Sequence, residues 1–95
     1  MASRASTIIR LSEANTKPEG ALERAGYQYR YSTHDKQFNH CRWEHPDGNI
    51  AIAHFPYPPT GNYTVSHYRS KDDSFADKTT HGFDELTAHL GRLHR

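Results

Sequence analysis

The chain has 95 residues, 12 Lys and Arg against 11 Asp and Glu, a net charge of +1 with its 8 histidines neutral, and 34% hydrophobic residues. That length holds one domain, residues 1–95, with a thin core. No apolar run approaches the roughly 20 residues of a membrane span, so no membrane partner is expected. No apolar signal segment follows Met1, and the single cysteine excludes an internal disulfide, which together predict a cytoplasmic setting. The balanced charge neither requires nor excludes a nucleic-acid partner, because the histidines add positive charge below about pH 6.5.

In chain order, residues 1–6 read as a disordered tail, and "STIIRLS" at 6–12 as a short strand or an extended arm. "TKPEGALERAG" predicts a short helix. Thr16 and Glu19 have capping-box spacing, Pro18 falls in the first turn and Gly26 supplies the stop. "YQYRYST" alternates, which predicts a strand with Tyr27, Tyr29 and Tyr31 on one face and Gln28, Arg30 and Ser32 on the other.

"FNHCRWEHPDG", residues 38–48, leads into a hairpin whose turn residues Pro46, Asp47 and Gly48 suit the last three positions of a type I turn. Polarity suggests the register. Pairing His45 with Gly48 sets Trp43 opposite Ile50 and Cys41 opposite Ile52, which gathers four apolar groups on one face. His40, Arg42 and Glu44 then point the other way, with His40 across from Ala53.

"FPYPPTGN" at 55–62 reads as a rigid, partly polyproline II connector. "NYTVSHYRS" is another alternating strand, with Tyr63, Val65 and His67 on one side. "KDDSFADKTTHG" reads as a solvated loop, since its acids lack the spacing of a calcium-binding loop. "FDELTAHLGRLHR" places Phe83, Leu86, Leu90 and Leu93 on one helical stripe. The expected fold is α+β: a helix, a three- to four-stranded antiparallel sheet, and a C-terminal helix, with both helices on one sheet face and the other face open.

That order resembles the double-stranded RNA-binding-domain fold. Within it, "LERAGYQY" at 22–29 and "NHCRWEHPDGNIAIAHFP" at 39–56 resemble the HicA toxins of bacterial toxin–antitoxin pairs. Those have a helix ending near "LEKAGF", a Gly-Ser-His triplet, and a hairpin closed by "HPDG". Trp43, His45 and Pro46 stand at the matching distances after the histidine, which makes His40 the counterpart of the family's catalytic residue. The triplet itself reads Phe38-Asn39-His40 here, and an extra strand at 62–70 separates the hairpin from the last helix.

The resemblance implies an mRNA endoribonuclease that needs no metal or other cofactor and is held in check by a cognate antitoxin protein. Such cleavage needs a base for the 2′-hydroxyl proton and donors for the phosphorane charge. His40 suits the base role, Arg42 lies beside it, and Arg30 and Lys36 are candidate phosphate ligands. His54 is the nearest candidate acid, but the expected register turns it to the wrong face. A plain surface histidine is the competing reading for His40.

Other constellations carry less. His40, His45, His54 and His67 follow no known ligand spacing, so no metal site is expected. Cys41 is expected inward beside Trp43 and Ile52 as a small hydrophobe. A reading from a different class is a small phage- or mobile-element-encoded inhibitor. It would cover a host enzyme or CRISPR effector complex with an aromatic face of Tyr57, Tyr63 and Tyr68 and the acidic loop residues Asp72 and Asp73.

Overall fold

A computed structural model describes residues 17–56 and 61–94; the tail, the segment at 6–12, Thr16 and Tyr57 lie outside the described residues. The architecture is α+β. Helix α1 (Pro18–Arg24) precedes strands β1 (Gln28–His34), β2 (Phe38–Glu44), β3 (Ile50–Pro56), β4 (Thr64–Tyr68) and β5 (Lys78–His81), and helix α2 (Gly82–Leu93) ends the chain. The strands form one antiparallel sheet in sequence order, β1-β2-β3-β4-β5. No helix among the described residues is long and apolar enough to cross a membrane.

Helix α1 begins one residue later than the capping-box spacing implies. Lys17 is the N-cap and makes no side-chain cap, while Pro18 opens the helix with its preset φ. The far end is a Schellman motif: Tyr27 N–H donates to Leu22 O at 2.9 Å and Gly26 N–H to Glu23 O at 3.0 Å. Gly26 takes φ of 98°, which an L side chain rarely adopts.

In β1 the expected alternation breaks. Tyr29 pairs with Trp43 but Tyr31 pairs with Arg42, so a β-bulge stands between them. Tyr29 stays against Trp43, with ring centroids 5.4 Å apart, whereas Tyr31 turns to the opposite face and lies under the Arg42 guanidinium at 5.9 Å.

The hairpin register also differs from expectation, by one residue. His45 N–H donates to Asn49 O at 2.9 Å and Gly48 N–H to His45 O at 3.0 Å, so the loop holds three residues, with Gly48 at φ 102°. Trp43 therefore pairs with Ala51, Cys41 with Ala53, Arg42 with Ile52 and His40 with His54. A one-residue slip exchanges the faces of a strand. Ile50 and Ile52 leave the Trp43 face, and Ala51 and Ala53 replace them. Cys41 accordingly lies beside Ala53 rather than Ile52, half-buried.

Both helices cover the Trp43 face. Their core contributions are Ala21 and Leu22 from α1 and Leu86 and Leu90 from α2, packed on Tyr27, Trp43, Ala51, Ala53 and Val65. Tyr63, Val65 and His67 share that side, as the alternation predicts, and Phe83 packs against it. Leu93 does not dock as expected; it is 40% exposed, because the helix ends there and His94 turns in instead.

The fifth strand replaces part of the expected solvated loop. Lys78–His81 pairs with β4, and Thr80 is buried, accepting a bond from His67 Nε2–H at 3.0 Å while donating to Val65 O. Its inward residues are a threonine and a lysine, so no apolar alternation marks it. On the open face, the loop after β4 leans over Ile50. Ser70, Lys71, Asp73 and Ser74 line a cavity of about 190 Å³ with Arg42, Ile50, Ile52 and Tyr68, which explains how Ile50 is buried away from the helices.

Candidate functional site

The observed register sets His40 and His54 directly across from each other on the open face, at Nδ1–Nδ1 2.7 Å. Their polar contacts continue in both directions. His40 Nε2–H donates to Asp35 Oδ2 at 2.9 Å, and His54 Nε2 lies 3.0 Å from the Ser66 hydroxyl. Asp35 sits in the β1–β2 turn, where its other oxygen accepts the backbone N–H groups of Gln37 and Phe38 at 2.8 and 2.7 Å. One side chain thus both shapes the turn and aims the imidazole.

Asp35 only accepts, which places a proton on His40 Nε2. With His40 neutral, its Nδ1 carries the lone pair, His54 Nδ1–H donates to it, and Ser66 Oγ–H donates to His54 Nε2. Every bond in the row is satisfied by that one set of tautomers. The hydrogen bond from His40, together with those backbone donors, pulls the Asp35 carboxyl down to about 2. Burial lowers the His54 pKa and a charge on His40 lowers it further, against a smaller opposing pull from Asp35.

A cleft of about 250 Å³ opens over this pair, lined by Tyr31, Thr33, His40, Arg42, Ile52 and His54. Arg42 Nε–H donates to Glu44 at 2.8 Å and Arg30 Nε–H to the other Glu44 oxygen at 3.2 Å. Glu44 therefore bridges the two arginines and offsets one positive charge, and its carboxyl lies below its usual range because of the Arg42 bond. Each guanidinium carries terminal N–H groups besides Nε–H, and Arg42 also interacts with the Tyr31 hydroxyl. Lys36 is exposed in the same turn as Asp35.

The structure thus brings His40, Arg42 and Arg30 together on one face, with Lys36 at its margin. It corrects the placement of His54, which the expected register had turned away. Asp35, Ser66 and Tyr31 were not anticipated there. The spacing Asp35 to His40 across a turn was the available signal for the first; the β-bulge hid the last.

Of the tyrosines expected to form one exposed face, the two described, Tyr63 and Tyr68, stand on opposite sides of the sheet. Tyr63 is half-buried against Phe55 on the helix side, with its hydroxyl pushed up to about 12 by burial, while Tyr68 faces the other way. Asp73 and Asp77 are engaged within their own loop, both accepting the Arg69 N–H, whereas Asp72 bonds through its backbone N–H, which donates to Ser70 Oγ.

Among the described residues, one three-residue set is close enough to hold a metal ion: His45, Asp47 and His94, at the turn of the β2–β3 hairpin and away from the open-face pair. Compared with models of known protein families, with characterised proteins and with solved structures, the chain matches none of the three.

Proposed function

We propose that the open sheet face engages RNA and that the His40–His54 pair cleaves it by metal-independent transesterification, in the manner of a HicA-like toxin. The observation that carries this reading is the row Asp35–His40–His54, with Arg42 and a cleft beside it. The hairpin resemblance independently points to the same histidine.

A nucleophilic 2′-hydroxyl must lose its proton as it attacks phosphorus, and the 5′-oxygen must gain one as it leaves. His40 Nδ1 is the base: Asp35 holds the opposite ring nitrogen and stabilises the imidazolium that forms. The incoming hydroxyl takes the place of His54 Nδ1–H as the partner of that nitrogen. His54, once its Nε2 has taken a proton from solvent and donates to Ser66 Oγ, supplies its Nδ1 proton to the leaving oxygen and ends neutral. Arg42 stabilises charge on the non-bridging oxygens. The cleft bounded by Tyr31 and Ile52 receives a base on its aromatic and apolar walls.

Expression in bacteria without any antitoxin tests this directly. Wild-type protein arrests growth and degrades total RNA, and His40→Ala does neither while accumulating to the same level. Normal growth and intact RNA with abundant wild-type protein would overturn the reading.

A further inference from the structure

At the turn of the β2–β3 hairpin three distant parts of the chain converge. His45 Nδ1 lies 2.9 Å from Asp47 Oδ1, and His94 Nδ1, just past the end of α2, lies 3.5 Å from Asp47 Oδ2. One donor atom from each residue falls within 4.8 Å of the other two.

The far nitrogen of each ring is already engaged. His45 Nε2 is 3.0 Å from the Ala25 carbonyl at the exit of α1, and a carbonyl only accepts, so that nitrogen carries a proton. Asp47 N–H points at Nδ1 of the same ring at 3.1 Å, as a lone pair there requires. His94 Nε2 is 2.8 Å from the Tyr27 hydroxyl; with that hydroxyl accepting from Nε2–H, the lone pair is on Nδ1, which is turned to the carboxylate. These outer contacts are the kind that fix metal-ligating histidines, one ring nitrogen held by an oxygen and the other presented.

The Asp47 N–H is the one donor to the His45 Nδ1 lone pair, and the carboxylate oxygen 2.9 Å away is a second acceptor beside it. A positive charge at that point, a second ring proton or a metal ion in place of the N–H bond, relieves the contact between acceptors. A proton satisfies one ring at a time; an ion satisfies both rings and the carboxylate together.

We propose that His45, Asp47 and His94 bind one zinc-class divalent ion, with Ala25 O and the Tyr27 hydroxyl orienting the two rings. Two imidazoles and a carboxylate favour zinc over magnesium or calcium, and leave a fourth, solvent-facing position beside the exposed Asp47. Tetrahedral ligands stand roughly 3.3 Å apart, so the donors close by at most about 1.5 Å. The rings stack at 4.2 Å with 20° between their planes, and the ion enters at the edge of that stack as the ring edges turn toward it. Bound there, it ties the end of α2 to the hairpin turn and the exit of α1.

The test is titration of the full-length chain with zinc near neutral pH, with cobalt as the spectroscopic probe. One ion binds per chain, cobalt gives visible ligand-field bands, and zinc raises the melting temperature until a chelator removes it. Asp47→Asn keeps the oxygen that accepts the Asn49 N–H, and so keeps the turn. It weakens zinc binding by about tenfold or more, as does His94→Gln. Absence of saturable binding would overturn the proposal and leave a proton as the only occupant. So would unchanged affinity in folded Asp47→Asn, or a loss that follows His40→Ala instead.

Discussion

His67 is buried at 3% exposure, and its ring makes one hydrogen bond, Nε2–H to Thr80, leaving Nδ1 without a partner. Burial, then the neighbouring His89 and His94 on the α2 side and Lys78 on β5, lowers its pKa from 6.5 to about 4. Between those values the unfolded chain binds a proton that the folded chain refuses. Stability contributed by neutral His67 is therefore complete above about pH 6.5 and falls as the pH drops towards 4, by about 3 kcal/mol. His54, His89 and His94 are shifted in the same direction and steepen the same slope. His67→Leu removes the titration and leaves Thr80 bonded to Val65 O, so urea midpoints at about pH 4.5 and about pH 7 should lie closer together than in wild type. Identical slopes would show that His67 does not govern acid sensitivity. On the open face, Arg42→Ala should weaken RNA binding and flatten its salt dependence by about 0.7–0.9 in logarithmic slope, measured by titration at several salt concentrations. A smaller change would mean that Glu44 keeps this arginine from phosphate.

Two glycines with similar backbone angles separate conformational strain from steric conflict. Gly48, at φ 102°, has only a backbone oxygen at 3.8 Å from an added Cβ, so Gly48→Ala should cost about 1–2 kcal/mol for the left-handed conformation alone. Gly26, at φ 98°, puts that Cβ 2.9 Å from His45 Nε2, the atom bonded to Ala25 O. Gly26→Ala should therefore be the costlier of the two by denaturant unfolding; equal losses would show that the His45 ring moves aside freely. The same elements mark how far the sequence could be read. Alternation, turn residues and the leucine stripe located four strands and both helices. The three-residue loop was not legible, because Pro46-Asp47-Gly48 suits either loop length and the isoleucine pattern favoured the shorter. What the pattern lacked was the cover that the loop after β4 gives to Ile50. The bulge in β1 left no residue signature at all.

The whole molecule is a sheet with two unlike faces. One is closed by α1 and α2 over alanines and Trp43, so Leu86→Ala should cost about 2–5 kcal/mol, whereas Leu93→Ala, at an exposed position, should cost little by thermal unfolding. Comparable losses at both positions would contradict the observed docking of α2. The other face carries the polar row from Asp35 to Ser66 across the β1–β2 turn, β2, β3 and β4. Of that row, His40 was legible from its place in the hairpin, and His54 as a residue but not as a neighbour. Facing depends on register, and register depends on a loop whose length the sequence left open. Asp35 and Ser66 come from separate elements, and only the closed sheet brings them into line.

Cleavage of a short RNA by purified protein with a chelator present tests the central claim most directly. The account predicts that wild type cuts the strand to leave a 2′,3′-cyclic phosphate and a 5′-hydroxyl. A 2′-deoxy substitution at the cut nucleotide should block the reaction, and folded His40→Ala should be inactive. Intact RNA after incubation with folded wild-type protein, or cleavage by His40→Ala at the wild-type rate, would contradict it.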